Sequence, residues 1–478
     1  MSLLQWLDAT PDPKVTEEAS RRLRTTQEPD RITVVLDDDP TGIQTIHGIY
    51  VYMVWDKRTL AQAISQEKAF FIQHNSRALP TDQAVRLNKE IMENLFWAAD
   101  RTGKTFHVIS RSDSTLRGHY PAETDAISSV IRERTGRCVD AEFLIPFFIE
   151  GGRITAEDIH YVRQDQTWIP VAETEFARDS AFGYHHSDLK RYIEEKSGGR
   201  IPATEVISIS LDLLRAGDID RLTRLLLSFE NNRRVVVNAT CYEDLKILTA
   251  ALHEAERQGK SFLYRTAASF VKSYLQIEDQ PLLKAKDLIE NNGRTRGVLI
   301  VVGSHVMRTR QQLCHLIENT SIKSVPLSVP AILAGDEPSD LEIRKKAEQV
   351  ESALKEGSSV VLYTSSTLNG KADPPESDQN QSLKTAERIS AALVSIASRL
   401  RIQPSAVIAK GGITSSDLAT KALCIRRCLA LGQVLPGVPA VRCGPEAKWP
   451  GLPLIIFPGN VGSENALTDV YLTLHDGW

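Results

Sequence analysis

Residues 36–45 read LDDDPTGIQT. Three adjacent carboxylates, Asp37, Asp38 and Asp39, follow the apolar run ITVVL at 32–36. Like charges this close repel, and burying them is costly unless a cation, a metal or a hydrogen-bond donor compensates. A carboxylate at the C-terminal end of a buried strand can accept a proton from a substrate hydroxyl, hydrogen-bond a polyol or hold a metal. Pro40 and Gly42 turn the chain there, and Thr41 adds a hydroxyl. The plain alternative is an acidic turn in water.

A second polar cluster, SRSDSTLRGHYPAE at 110–123, follows the apolar stretch TFHVI. It packs Arg111, Ser112, Asp113, Ser114, Thr115 and Arg117 into seven residues ahead of Gly118. Guanidinium groups bind carboxylate or phosphate with two parallel hydrogen bonds, and hydroxyls suit sugar hydroxyls. Asn75, Ser76 and Arg77 follow a third apolar run in the same way. Any one of these clusters could be a capping turn. Three of them at the ends of strands of one sheet make a pocket for a small, anionic, hydroxyl-rich molecule.

The second half of the chain carries a different set. VLIVVGSHVMRTRQQL (298–313), AVIAKGGITSSDLA (406–419) and LIIFPGNVGSENAL (454–467) each read as strand, glycine turn and helix. Such turns expose backbone N–H groups to an anion and let phosphate approach closely. No G-x-x-x-x-G-K-[ST] or well-placed G-x-G-x-x-G is present. Three loops of this kind favour a nucleotide phosphate site over plain strand–helix connections. A sugar-acid site on one domain and a phosphate site on the other fit phosphoryl transfer, with Mg2+ to neutralise charge and a base for the acceptor hydroxyl. Closure of the domains would exclude water, the competing acceptor.

The elements that position these residues follow from the pattern of apolar runs. Strands are expected at 32–36, 49–54, 69–73, 105–109, 141–146, 234–238, 298–302, 325–329, 359–363, 406–409 and 453–457. Helical patterns, such as 81–99 and 381–400, lie between them. This alternation predicts an α/β protein of two domains, each a largely parallel sheet flanked by helices, with the active site in the interdomain cleft. The length of 478 residues agrees with two domains. The expected division is a helical arm at 1–29, a sugar-acid domain at 30–270, a linker at 271–296 and a nucleotide domain at 297–478. Residues 370–382 read as a polar loop.

Composition narrows the function classes. Charged residues make up 25% and the net charge is −4, which gives no electrostatic case for nucleic acid or an anionic membrane. No apolar run approaches the roughly 18 residues of a membrane span. The start MSLLQWLDATPDPK lacks the pattern of a secretory signal, which points to the cytosol. The six cysteines fit no zinc or disulfide framework. Cys424 and Cys428 are expected on one helix face as buried apolar thiols. His185 and His186 read as a solvated pair, His47 and His305 as residues lining the loops, and 342–357 as a solvated helix face.

These stretches resemble the four-carbon acid sugar kinases, long labelled a family of unknown function, which include threonate, erythronate and 3-oxo-tetronate kinases. The matching residues are Asp38 to Gly42 (DDPTG), Ser76-Arg77, Asp113 to Gly118 (DSTLRG), Gly151 to Thr155 (GGRIT), Glu173 to Asp179 (ETEFARD), Val301 to Ser304 (VVGS), Gly411 to Thr414 (GGIT) and Pro458 to Gly462 (PGNVG). The resemblance spans about 32–470 and implies ATP-dependent phosphorylation of a sugar acid's terminal hydroxyl. It implies sugar-acid contacts at Asp38, Arg77, Asp113, Ser114, Thr115 and Arg117. It implies ATP contacts at Ser304, Gly411, Gly412, Ile413, Thr414 and Gly459. Asp38 or Asp39 is the expected base, and the sequence does not separate them. No dedicated protein metal site is assigned; a homodimer is an open expectation for the assembly. The chain departs from the family pattern at Asp37, where a small apolar residue is common, and at Tyr264 to Phe270 (YRTAASF), where many members have a GSAGLA-like stretch. Both mark a divergent branch.

Two other readings compete. In haloacid-dehalogenase phosphatases an apolar strand is followed by D-x-D-x-T, which would make Asp37 the nucleophile and Asp39 the acid/base with Mg2+. Asp336 and Asp340 would then imitate a late acidic motif, although DSTLRG is left unexplained. The third reading is a sugar-acid and nucleotide sensor without turnover.

Overall fold

The computed structural model describes residues 3–25, 31–40, 42–289, 297–303, 306–365 and 379–475. The strands in chain order are β1 (Arg31–Asp37), β2 (Tyr50–Tyr52), β3 (Ala69–Gln73), β4 (Thr105–Arg111) and β5 (Ala141–Ile145). Then come β6 (Arg153–Ala156), β7 (Ile159–Gln164), β8 (Thr167–Pro170), β9 (Ile207–Ile209), β10 (Arg233–Val237) and β11 (Phe262–Thr266). The second half holds β12 (Leu299–Val302), β13 (Lys323–Leu327), β14 (Val360–Thr364), β15 (Val407–Lys410), β16 (Arg427–Leu435), β17 (Val438–Cys443) and β18 (Pro453–Phe457). Two compact units result, one of Met1–Gly42 with Val54–Glu278, the other of Ile43–Met53 with Asp279–Trp478.

In the first unit the strand order is β3-β1-β4-β11-β5-β10-β9. Every pairing in it is parallel. Parallel strands are covered on both faces, which is why β1 and β5 read as continuous apolar runs and are buried almost end to end. The helices Thr81–Thr102 and Ala122–Thr135 stop where Gly103 and Gly136 take φ of +70° and +69°, the left-handed end that glycine supplies without strain. The chain leaves β1 for β3 on one side and reaches β4 on the other. Ligands bind at such a topological switch, outside the C-terminal ends of the strands. The register lines up Asp37 with Gln73 and Arg111, and Arg111 with Thr266, along that edge.

A separate antiparallel sheet, β6-β7-β8, follows β5. It is tied back by Thr155, whose backbone N–H donates to the Ala239 carbonyl at 3.0 Å. The N-terminal residues form two helices, Leu3–Asp8 and Pro13–Thr25. Trp6 packs with Ala156 and Leu211, and Arg22 reaches Asp220 at 2.5 Å, so this arm is part of the first unit.

The second unit has the order β13-β14-β12-β15-β18-β17-β16-β2. Strands β13, β14, β12, β15 and β18 run parallel, and β17, β16 and β2 complete the sheet in antiparallel fashion. Here β12 is the switch, flanked by β14 and β15. Its core joins Val298, Ile300, Ile408, Ile455 and Phe457. The helix Asp336–Lys355 buries Ile343, Ala347, Val350 and Leu354 and turns most of its charged residues to solvent, Glu342 and Lys346 being largely covered.

Several sequence expectations change. The strand expected at 49–54 falls within the expected first domain; β2 pairs with β16, with Tyr52 opposite Arg427, and clusters with the second unit. Residues Ala268–Tyr274, read partly as linker, form a helix of the first unit, and the division falls between Glu278 and Asp279. Strands β6 to β9, β11, β16 and β17 were not anticipated. Cys424 and Cys428 do not share a helix face. The helical turn ends at Ala422, Cys424 sits exposed at φ +53°, and Cys428 is buried on β16 opposite Cys443. Among the described residues no helix is long and apolar enough to cross a membrane.

Candidate active site

Asp37 is the last residue of β1 and has no exposed surface. Its Oδ1 accepts from Arg111 Nη1 at 3.0 Å and from the Asp39 N–H at 3.3 Å. Its Oδ2 is buried with no partner among the described residues. A Cβ at Gly42 would collide with this carboxylate, so only glycine lets the turn fold down over it. Burial pushes Asp37 up to about 7, with Asp38 and Asp39 adding to the rise against the pull of Arg111.

Asp38 and Asp39 point to a common partner. Arg77 Nη2 lies 2.5 Å from Asp38 Oδ1, and its Nη1 lies 3.1 Å from Asp39 Oδ2. Ser112 Oγ donates to Asp38 Oδ2 at 2.5 Å, and Arg265 Nη2 stands 3.6 Å from the same oxygen. Arg265 is itself buried; its Nη1 donates to Ser110 Oγ and Glu123 Oε2, each at 2.9 Å. Glu123 also accepts from Ser76 Oγ and from Asn88 Nδ2. The buried charges thus form one alternating chain from Asp39 to Glu123, which is how a parallel sheet edge can hold them. Gly118, at φ +129°, fits beside it; a Cβ there would lie 2.8 Å from Arg265 Nη2 and 3.2 Å from Asp38 Oδ2.

The DSTLRG loop forms the adjoining part. Asp113 Oδ2 accepts from Thr115 Oγ1 and from Arg117 Nε, the latter at 2.7 Å. Burial alone would raise the pKa of Asp113; the Arg77 and Arg117 charges outweigh it and hold the group well below the usual carboxylate range. The loop backbone is pinned from outside. His160 Nε2 meets the Ser114 carbonyl at 2.7 Å, Tyr184 OH donates to the Thr115 carbonyl at 2.7 Å, and Tyr192 OH donates to the Leu116 carbonyl at 2.8 Å. Burial lowers His160 to about 4, so the ring is neutral and gives its one N–H to Ser114 while Nδ1 accepts from Thr155. The side chains of Ser114 and Thr115 are themselves buried. Asp113, Arg117, Arg265 and Thr266 line one small cavity at this edge. A roomier cavity of about 580 Å³ is lined by Arg31, His107, Asp140 and Phe262 and holds none of the expected site residues.

In the second unit the glycine loops meet at the ends of β12, β15 and β18. A Cβ on Gly303 would press into Thr414, while one on Gly412 would meet nothing within 4 Å. Gly411 takes φ +116° and donates to the Phe457 carbonyl at 2.8 Å. The helix Gly412–Asp417, which contains Ile413 and Thr414, starts there. Lys410 has no exposed surface; its Nζ donates to the carbonyls of Pro458 at 2.7 Å and Gly459 at 3.3 Å and lies 3.9 Å from the centre of the Phe457 ring. Thr309 Oγ1 donates to the Gly459 carbonyl at 3.1 Å. Burial, with repulsion from Arg308, pushes Lys410 down to about 7.

The expected residues therefore assemble as two sets. Asp38, Asp39, Arg77, Asp113, Thr115 and Arg117 come together in the first unit, while Ser114 is buried with its carbonyl held by His160. Gly411, Gly412, Thr414 and Gly459 come together in the second. Thr41, Ser304 and His305 lie outside the described residues. Arg265, Glu123, Arg153 and Lys410 were missed. The signal for Arg265 and Lys410 was present, since each is a lone cation closing an apolar run (SFLYR, AVIAK), as the aspartates close VVL. The side chains of His185 and His186 are solvent-exposed, as expected, and each places Nδ1 on Glu195, at 2.7 and 2.8 Å.

The phosphatase reading does not survive this geometry. Asp37 is sealed beneath Gly42 and paired with Arg111, so it presents no oxygen to a phosphoester. Asp336 and Asp340 lie at the start of a helix in the other unit.

A family model described as a sugar-binding N-terminal domain matches residues 33–274, and one described as a nucleotide-binding C-terminal domain matches residues 299–467. A D-erythronate kinase from Heliobacterium modesticaldum is 30% identical over 207 residues, which cover 42% of this chain and 41% of that protein. The chain thus aligns with less than half the length of that relative. A Salmonella typhimurium LT2 protein provisionally described as a tRNA synthase has a related structure, with TM-score 0.66 at 18% identity over 92% of this chain and 98% of that one. A Haemophilus influenzae protein of the DUF1537 family gives TM-score 0.62 at 15% identity over 93% of this chain and 100% of that one. At those identities the likeness concerns the fold. With both domain models matched in order and the acid–arginine chain seated within the first, the protein belongs to the four-carbon acid sugar kinase family.

Proposed function

We propose that the protein is an ATP-dependent kinase that phosphorylates the terminal hydroxyl of a four-carbon sugar acid of the threonate, erythronate or 3-oxo-tetronate type. The observation that carries this reading is the cluster of Asp38, Asp39, Arg77, Asp113 and Arg117 at the sheet edge of a sugar-binding domain that is followed by a nucleotide-binding domain. Alternating carboxylates and guanidiniums offer both acceptors for sugar hydroxyls and donors for an acid group. The activity printed for the Heliobacterium relative puts D-erythronate first among the acids to be tried.

In this reading the two aspartates divide the work. Asp38 has both oxygens committed, to Arg77 and Ser112, and its side chain is 2% exposed. Asp39 is 24% exposed and is the better placed to meet a substrate hydroxyl, so Asp39 is the base and Asp38 the anchor that orients Arg77. Asp113, braced by Arg117, accepts from the acid's hydroxyls.

The residues of the second unit suit nucleotide phosphates. The open side of Gly412, the turned-back Gly411 and the Lys410-braced loop at Pro458 and Gly459 give a backbone surface that phosphate oxygens can approach. Among the described residues no group of three His, Cys, Asp or Glu could hold a metal ion by itself. Mg2+ belongs to this reading as the ion carried on the phosphates of ATP, where it neutralises charge during transfer. The same reading puts the enzyme in the cytosol.

The test is identification of the product. Incubation with Mg-ATP and D-erythronate, followed by phosphorus NMR, should show a phosphomonoester coupled to the terminal CH2 protons. Coupling to an internal CH proton would contradict the assigned position, and a phosphate that forms without ATP would contradict the kinase.

A further inference from the structure

Arg153 is a half-buried guanidinium with no acid to answer it. It opens β6, and its Nη1 donates to the Gly151 carbonyl. Its Nε is buried with no hydrogen-bond partner, and no carboxylate among the described residues forms an ion pair with it. Its guanidinium carbon lies 5.9 Å from the centre of the Phe176 ring, and that of Arg117 lies 5.1 Å from the same centre. Two cations therefore share one aromatic ring beside a single committed carboxylate, Asp113. Burial lowers the pKa of Arg153; nearby Asp113 opposes that and Arg117 adds to it.

Such an arrangement is unfavourable unless an anion completes it. Withdrawing a guanidinium from water without a counter-charge is unfavourable. Asp179 stands 3.9 Å from Arg117 but forms no ion pair with Arg153. The hairpin that carries Arg153 is held firmly to the substrate loop. On β6, Arg153 and Thr155 lie two residues apart and so on one face. Thr155 bonds His160, and His160 bonds the Ser114 carbonyl. The strand that carries Arg153 is thus tied to the DSTLRG loop by hydrogen bonds, and the Arg153 side chain is itself held by the Gly151 carbonyl.

We propose that Arg153, with Arg117 across Phe176, receives the carboxylate of the sugar acid and so selects acids over neutral polyols and amides. The inference rests on the function proposed above. A guanidinium meets a carboxylate with two parallel hydrogen bonds, a match that a hydroxyl or an amide does not reproduce. Arg77 also keeps a buried Nε without a partner but is paired with Asp38 and Asp39, and Arg117 spends its Nε on Asp113; Arg153 joins an unused buried N–H to the lack of any carboxylate ion pair among the described residues. Arg117 supports the site and Arg153 reads the charge.

The experiment compares wild type, Arg153→Met and Arg153→Gln for binding of D-erythronate, L-threonate and D-erythronamide by calorimetry. Circular dichroism and melting temperature serve as the check on folding. The expected result is acid binding about 10- to 100-fold weaker in both variants, the loss set by a charge-assisted pair, with amide binding nearly unchanged. Loss of acid and amide affinity by the same factor in folded variants overturns the assignment, because Arg153 would then only shape the loop. Wild-type affinity for the acid in either folded variant overturns it as well. A wild-type protein that binds neither acid nor turns either over removes the proposed function and this inference with it. Should Arg153→Met fail to fold, Arg153→Gln decides.

Discussion

Arg77 bridges Asp38 and Asp39, with one nitrogen 2.5 Å from the first carboxylate and another 3.1 Å from the second. The triple acid of the sequence is therefore three different groups. Asp37 is sealed and paired with Arg111, Asp38 is held from both sides, and Asp39 keeps a face toward solvent. Adjacent residues on a strand point to opposite faces, and the chain turns immediately after Asp37. The repulsion expected among three neighbouring carboxylates is relieved by giving each its own cation or its own face.

Arg77→Ala should cost stability as well as activity. It leaves Asp38 with Ser112 and a more distant Arg265, and removing one partner of a buried pair costs about 3 kcal/mol. Arg77→Lys keeps the charge but cannot span two carboxylates, so it should retain most of the stability and lose about 100-fold in kcat/KM. Urea unfolding with steady-state kinetics checks both. Wild-type stability in Arg77→Ala would show that the bridge is not formed in solution.

Asp38→Asn and Asp39→Asn should separate the anchor from the base. Asp39→Asn is expected to lower kcat by about 100- to 10,000-fold with little change in KM for the acid or in melting temperature. Asp38→Asn should raise KM and lower the melting temperature, because Arg77 and Arg265 lose their shared counter-charge. A kcat for Asp39→Asn within a few-fold of wild type would move the base elsewhere.

Asp37 gives a pH signature. Its folded pKa is raised from 3.8 to about 7, so between those values the native state binds a proton that the unfolded state has lost. Stability from this group is full near pH 4 and falls as pH rises to 7. The difference in unfolding free energy between wild type and Asp37→Asn should shrink steadily from pH 4.5 to pH 7. Urea titrations at four pH values measure it, and a difference that grows with pH contradicts the burial of Asp37.

Gly412→Val tests the phosphate loop without disturbing the core. A Cβ there meets nothing within 4 Å, so melting temperature should hold while affinity for ATP falls at least about tenfold. Binding of ADP by calorimetry reads it directly. Undiminished ADP affinity would place the phosphates elsewhere.

Much of this was legible in the chain. Buried parallel strands announce themselves as apolar runs, and β1, β3, β5, β12 and β18 fall within two residues of where ITVVL, AFFIQ, AEFLIP, VLIVV and PLIIF place them. Several of the strands that escaped are of another kind, although β11 and β17 are buried apolar strands that the pattern could have shown. On β7 and β16 buried residues alternate with more exposed ones, and β9 has three residues, so none offers an unbroken apolar run. The helix expected across Cys424 and Cys428 failed because a strand that alternates small and apolar residues imitates a helical face over a few positions. Within the site, acids and hydroxyls in the substrate loops were visible from spacing. Arg77 and Arg117 were visible with them, whereas Arg265 and Arg153 come from distant segments that only the fold brings to the site, and Glu123, at the end of the 110–123 stretch, shows its role only once Arg265 is beside it.

The most direct test of the central claim is ADP release from Mg-ATP across a panel of D- and L-threonate, D- and L-erythronate and the 3-oxo-tetronates. The account predicts release that depends on one acid, saturates with it and is lost in Asp39→Asn. Absence of acid-dependent release with every member of the panel, from folded protein that still binds ADP, would contradict it.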